Sequence, residues 1–267
     1  MSQTFRHPDI LEVARREGKV TVDDLAERFG VTVQTIRRDL AELANSGKLE
    51  RVHGGAILPS SVSNMGYEFR RDLAAGAKAA IARACAEIIP DNCSIFLNIG
   101  TSTEEVARAL LRHHGLLVVT NNINVANILR ENRNCETIVA GGSLRRADGG
   151  LVGTLTLQAI EQFKFDFAVI GCSALDEDGD LLDFDIQEVG VSRLIIQRAR
   201  RTCLVADATK FQRTAPAQIA SLRDIDHFFT DCPVTPKLAE LCLAWGTEVH
   251  VAEPENGSFN PPPEASD

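Results

Sequence analysis

Seven short, nearly continuous apolar runs recur in the second part of this chain, at residues 94–97, 116–120, 136–140, 167–170, 202–206, 227–230 and 248–251. Helical patterns lie between several of them, at about 103–112, 123–130, 155–163, 188–199 and 235–244, and one more runs from 77 to 89 with Ile81, Cys85 and Ile88 on one face. A strand that is apolar on both faces has no side for solvent. Such strands alternating with helices predict a mainly parallel sheet covered on both faces, an α/β domain over 77–252.

Ligands of such domains bind beyond the carboxyl ends of the strands. The residues there are small and polar: Asn98 to Thr103, Asn121-Asn122, Gly141-Gly142, Gly171-Cys172-Ser173, Asp207 to Lys210, and Asp231. At the first of these ends Gly100 lets the backbone turn, and Thr101, Ser102 and Thr103 open the next helix, a place where a phosphate can sit on free amides. A plain helix cap is the competing reading. Lys210 brings a positive charge from another strand end, and Arg145 stands where it can touch an anion or a neighbouring subunit. Neither Gly-x-Gly-x-x-Gly nor Gly-x-x-x-x-Gly-Lys-Ser/Thr occurs in the Gly100 loop, so dinucleotide and nucleoside-triphosphate sites lose support. An acidic stretch from Asp176 through Asp185 to Glu188 is open to three readings: hydroxyl recognition, acid–base chemistry or a solvated surface. It lacks the full calcium-loop pattern, and no metal ligands are assigned.

The front of the chain has a different pattern. Pro8 leads a short helix that ends at Gly18, and Thr21-Val22-Asp23-Asp24 opens a second in the manner of a capping box. After Gly30, Thr32 caps a third helix on which Val33, Ile36, Leu40 and Leu43 form one apolar stripe. That stripe turns Gln34, Thr35, Arg37 and Arg38 to the open side. Two helices joined by a tight turn match a helix-turn-helix whose second helix enters the DNA major groove, with Thr32, Gln34, Thr35, Arg37 and Arg38 at base edges and phosphates. Arg51 and His53, beside Gly54-Gly55, belong to a short strand and turn that read as a wing. A three-helix packing module with solvated arginines is the plainer alternative.

Composition matters here because the whole chain of 267 residues carries a formal charge of −9, which disfavours nucleic acid as a partner. The first sixty residues hold nine basic and nine acidic side chains, so the deficit lies entirely behind them. Double-stranded DNA therefore belongs to the neutral front end. No apolar run approaches the roughly 18 residues of a membrane helix, and no secretory signal pattern opens the chain, so a cytoplasmic protein is expected. Seven cysteines, an odd number with no Cys-x-x-Cys, read as free thiols. The organisation expected is a winged helix-turn-helix over 1–58, a linker over 59–76, the sensor-sized domain over 77–252 and a flexible tail over 253–267.

Thr35-Ile36-Arg37-Arg38-Asp39-Leu40, Val52-His53-Gly54-Gly55-Ala56, Ile99-Gly100-Thr101, Thr120-Asn121-Asn122 and Asp207-x-x-Lys210-Phe211 together resemble the DeoR family of bacterial transcriptional regulators. Asp148-Gly149-Gly150-Leu151-Val152-Gly153 and the stretch from Leu182 to Val189 are similar to members that answer to glycerol 3-phosphate. The resemblance implies a non-enzymatic repressor whose second domain is related to ribose-5-phosphate isomerase, needs no cofactor and senses a phosphorylated metabolite. By that resemblance Gly100 to Thr103 and Lys210 hold the phosphate, and Asn121, Asp176, Asp185 and Glu188 lie near the hydroxyls. Many members carry Asp where this chain has Asn98. Homodimers or homotetramers are implied as well. Another phosphorylated sugar as effector, and an isomerase with a DNA-binding appendage, are the alternatives.

Overall fold

The computed structural model describes residues 3–17, 19–45, 48–52, 54–57 and 66–253. His53 of the expected wing, most of the tail and part of the expected linker lie outside the described residues.

The front module consists of α1 (Gln3–Glu17), β1 (Lys19–Thr21), α2 (Val22–Phe29), α3 (Val33–Asn45), β2 (Glu50–Val52) and β3 (Gly55–Ile57). Thr21 caps α2 by accepting from the Asp24 amide at 3.2 Å, and Thr32 accepts from the Thr35 amide at 3.2 Å to open α3. Ile36, Leu40 and Leu43 are buried against Ile10, Val20, Leu25 and Leu49, whereas Val33 is 36% exposed and drops out of the expected stripe. It sits on the first turn of α3, ahead of the crossing with the other helices.

Two features of this module escaped the sequence pattern. α1 starts before the proline-led position, because Arg6 donates to both Asp39 oxygens at 2.8 and 3.2 Å and fastens the first turns of α1 to α3. β1 adds a third strand, giving the order β1-β3-β2 with antiparallel pairing throughout. A Cβ at Gly55 would stand 1.9 Å from the Val20 carbonyl oxygen, so glycine is what lets β3 lie against β1.

The second domain runs through α4 (Tyr67–Asp72), α5 (Ala75–Glu87), β4 (Ser94–Leu97), α6 (Thr101–Ala109), β5 (Leu116–Thr120), α7 (Ile123–Leu129) and β6 (Cys135–Val139). β7 (Ser143–Arg145), β8 (Gly150–Val152), α8 (Thr154–Glu161), β9 (Phe165–Ile170), β10 (Ala174–Leu175), β11 (Asp180–Asp183) and α9 (Ile186–Arg198) follow. β12 (Ala199–Val205), β13 (Ala217–Ser221), β14 (His227–Thr230), α10 (Pro236–Trp245) and β15 (Glu248–Val251) complete it. All seven apolar runs join one parallel sheet of order β15-β14-β12-β9-β4-β5-β6. Alternation along β4 divides the core: Ile95 and Leu97 pack toward α5 and α6, while Phe96 packs on the side of α8 and α9. A hairpin of β7 and β8 and a three-stranded antiparallel sheet β10-β11-β13 are added at the rim.

The segment expected as a linker contains α4. Its Tyr67 hydroxyl donates to Glu104 at 2.8 Å, and Arg70 pairs with Asp148 at 3.5 Å. Six residues are too few for a periodic signature, so only these partners reveal the helix as part of the sensor. All seven cysteines are free, four of them buried. Among the described residues, no helix is long and apolar enough to cross a membrane.

Candidate DNA-binding face and effector cleft

Thr32, Gln34, Arg37 and Arg38 stand exposed along the outer side of α3, and Thr35 is half-buried with its hydroxyl 2.9 Å from that of Thr32. Arg38 lies against Glu42 at 3.3 Å, a pair 72% exposed on the arginine side and therefore easily exchanged for a phosphate. Arg51 is exposed on β2, opposite Ala56 of β3. The exposed donors of this module thus include Gln34, Arg37 and Arg38 on α3 and Arg51 on β2.

The cleft lies at the carboxyl ends of β4, β9 and β12. Gly100 has φ +145°, a conformation that favours glycine, and it precedes α6, whose first amides have no acceptor within the helix. The Thr103 hydroxyl is spent on the carbonyls of Asn98 and Gly100, both at 2.7 Å, and the Thr101 hydroxyl approaches the Arg70 carbonyl at 3.4 Å. The loop therefore offers amides and the Ser102 hydroxyl rather than three hydroxyls. Asn98 donates to Ser192 of α9 at 2.8 Å and accepts from the Ile99 amide, so the neutral residue holds the loop to the neighbouring helix.

Lys210, Glu188 and Arg70 reach the same cleft, beside Cys172, Ser173 and Asp183. Burial lowers the Lys210 ammonium from its ordinary value, Asp207 opposes that, and the cations Arg213 and Arg70 push it further down. Burial likewise lowers Lys78 to about 8. Lys78 donates to the Arg70 and Leu73 carbonyls and so ties down the end of α4. Nε of Arg70 is buried without a hydrogen-bond partner, as is Oδ2 of Asp207. Burial and then Asp183 raise Glu188 to about 7 against the pull of Arg145, while burial takes the Cys172 thiol up to about 12, which leaves it inert.

Four of the residues expected at the effector have other partners. Arg145 is beside the cleft, but its guanidinium donates to Asp148, Asp185 and Glu188 at 2.6–2.9 Å, so three carboxylates already satisfy it. Asp185 also caps α9 through the Gln187 amide at 2.8 Å. Asn121 is fully buried and donates to the Leu151 carbonyl at 3.2 Å, fixing β8 rather than lining the cleft. Asp176 accepts from the amides of Asp178 and Asp180, which makes it a turn former in the β10–β11 hairpin. Conversely, Arg70 was not legible in the sequence, whereas Ser173 stood at a polar strand end and Asp183 within the acidic stretch without being singled out. The nearest signal was the arginine pair Arg70-Arg71 inside the presumed linker.

The two regions touch. Arg213, three residues beyond Lys210, lies 3.8 Å from Glu50 of the wing strand, with side chains 5% and 12% exposed, and its guanidinium sits 5.5 Å over the Phe184 ring. Burial raises Glu50 from the ordinary carboxylate value, partly offset by Arg213.

A winged helix-turn-helix joined to an α/β domain with a cation-lined cleft defines a DNA-binding regulator with a sensor domain. The chain belongs to the DeoR family: the DeoR C terminal sensor domain matches residues 74–232, and the DeoR-like helix-turn-helix domain matches residues 6–62. It is 46% identical to the glycerol-3-phosphate regulon repressor of Escherichia coli over 87% of this chain and 92% of that protein. The repressor of the same description from Haemophilus influenzae is 44% identical over 86% and 90% of the two chains. The transcriptional repressor CsqR of Escherichia coli is 39% identical over 85% and 87%. Among solved structures, translation initiation factor eIF-2B of Pyrococcus horikoshii has a TM-score of 0.50 at 12% identity, covering 86% of this chain and 82% of its own. Ribose 5-phosphate isomerase A of Methanocaldococcus jannaschii has a TM-score of 0.38 at 11% identity, covering 50% and 53%.

Proposed function

We propose that this protein is a transcriptional repressor of glycerol-3-phosphate metabolism genes that holds operator DNA through α3 and the wing and lets go when glycerol 3-phosphate enters the cleft. The observation that carries the effector reading is the half-buried Arg70, whose buried Nε has no hydrogen-bond partner, beside Lys210 at the amino end of α6. Cations held together in a water-poor place repel one another, and a phosphate relieves that repulsion while taking the open amides. Ser102 and Glu188 then face the glycerol end, and Glu188, raised to about 7, serves as a donor in its protonated form. Arg145, Asp185 and Asn121 act one layer out, by holding Glu188 and the β8 segment in place.

Release follows from linkage: an effector shifts DNA affinity only if it binds one arrangement of the wings better than the other. Two connections run from the cleft to the front module. One is α4, which presents Arg70 and is the first helix of the sensor after the front module in the chain; the other is Glu50 against Arg213. In a two-fold dimer the recognition helices meet successive major grooves at roughly 34–36 Å spacing. The isomerase alternative has no support in the relatives named above, which are repressors, and the carboxylates it requires are engaged with Arg145 or the hairpin turn.

Fluorescence anisotropy on a labelled fragment upstream of glycerol-utilisation genes, at fixed salt, tests this reading. Specific binding that glycerol 3-phosphate abolishes and glucose 6-phosphate does not is the expected result. Release by glucose 6-phosphate instead overturns the effector assignment, and the absence of specific binding to any such fragment overturns the repressor assignment.

A further inference from the structure

His227 opens β14, and Glu248 and His250 lie on the neighbouring edge strand β15, in a parallel register that pairs His227 with Glu248 and Phe229 with His250. Period-two alternation puts all three on one face of the sheet. Their ligand atoms converge: Nδ1 of His227 is 3.2 Å from Nε2 of His250 and 3.3 Å from a Glu248 oxygen, and that oxygen is 3.7 Å from Nε2 of His250.

These distances are informative. A tetrahedral zinc-type ion with bonds of about 2.0–2.2 Å sets neighbouring ligand atoms about 3.3–3.6 Å apart. A single proton between the two rings accounts for one edge of the triangle only. The lone pairs of the accepting nitrogen and the carboxylate then face each other across another edge. A cation satisfies all three donors at once.

The surroundings hold this arrangement. The Phe229 ring stacks on His250 with centroids 4.4 Å apart and planes within 11°, which fixes the imidazole orientation. The His227 side chain is 15% exposed and that of His250 31%, while Glu248 is 68% exposed, so one side of the triangle opens to water. Because His227 begins its strand and the effector cleft lies beyond strand carboxyl ends, the cluster is separate from that cleft.

We propose that His227, Glu248 and His250 bind one divalent transition-metal ion of the zinc type, with water completing the tetrahedron. Borderline-soft ions take two imidazoles and a carboxylate readily, whereas magnesium and calcium select oxygen donors.

Chelator-treated full-length protein titrated with Co2+ alone should show ligand-field absorption that saturates at one ion per chain, and Zn2+ should displace it. His250→Ala should weaken Co2+ affinity at least tenfold, and the exposed Glu248→Gln should weaken it by a smaller factor with thermal stability of the metal-free protein unchanged. Operator affinity serves as the check that each variant is folded. Failure to saturate at one ion, binding that survives the His227→Ala and His250→Ala double variant, or sulfur-to-cobalt charge transfer that assigns the ion to cysteines would each overturn the proposal.

Discussion

The arginines of α3 and the cations of the cleft are chemically alike, but the protein holds them in opposite ways. Arg37 and Arg38 extend into water, where their charge costs nothing to maintain and a DNA phosphate displaces only solvent or the weak Glu42 contact. Lys210 is 8% exposed, and Arg70 has a buried donor with no acceptor, so the folded chain already bears the cost of collecting them. The difference teaches that the first surface suits a long polyanion read by its outline, while the second suits a small anion that must enter and complete a set of bonds.

Removing a buried cation should therefore have the largest effect. Lys210→Ala is expected to weaken glycerol 3-phosphate binding by about 2–3 kcal/mol, ~30- to 150-fold by calorimetry, and to leave operator affinity intact. An unchanged effector affinity would remove Lys210 from the site. Arg37→Ala is the mirror experiment, with operator affinity falling by about 1–3 kcal/mol, the salt dependence becoming shallower if a phosphate contact is lost, and effector affinity unchanged. If both variants impaired both activities equally, the separation of the two regions would be broken.

Gly100→Ala places a side chain on a backbone at φ +145°, a strain of about 1–3 kcal/mol that should loosen the loop and yield a repressor slow to respond to effector. The pH dependence sharpens the contrast further. A bound phosphate favours the protonated form of Glu188, so binding takes up a proton and wild-type affinity falls as pH rises through about 7. Glu188→Gln cannot ionise, and the ratio of its affinity to that of the wild type should rise over the same interval. A constant ratio would place Glu188 away from the ligand. The smallest effect is expected from Glu50→Gln, which should leave effector affinity of the free protein alone and change the effector's influence on operator binding by about 0.5–2 kcal/mol.

The sequence carried the sheet because its inner strands are buried on both faces and even the half-exposed edge strands β6 and β15 keep a short apolar run. The caps Thr21 and Thr32 and the outward arginines were legible for a related reason, since capping and helical periodicity are settled within a few neighbouring residues. The start of α1 was not, because it depends on Arg6 finding Asp39 thirty-three residues away. Nor was α4, whose six residues owe their place to Glu104 and Asp148. At the site, the Gly100 turn and Lys210 were visible as strand-end residues, but which carboxylates remain near a ligand was decided by where Arg145 points.

Amino-acid order by itself determined the two-part design, the exposed face of α3 and the glycine turn at Gly100 that opens α6, because these rest on short-range chemistry repeated along the chain. Only the tertiary structure decided that Arg70 joins the cleft, that Arg145 is satisfied by three carboxylates, that Glu50 meets Arg213, and that His227, Glu248 and His250 converge. Those pairings join residues far apart in sequence, and their distances are set by the register of strands and the docking of helices, which no local pattern encodes.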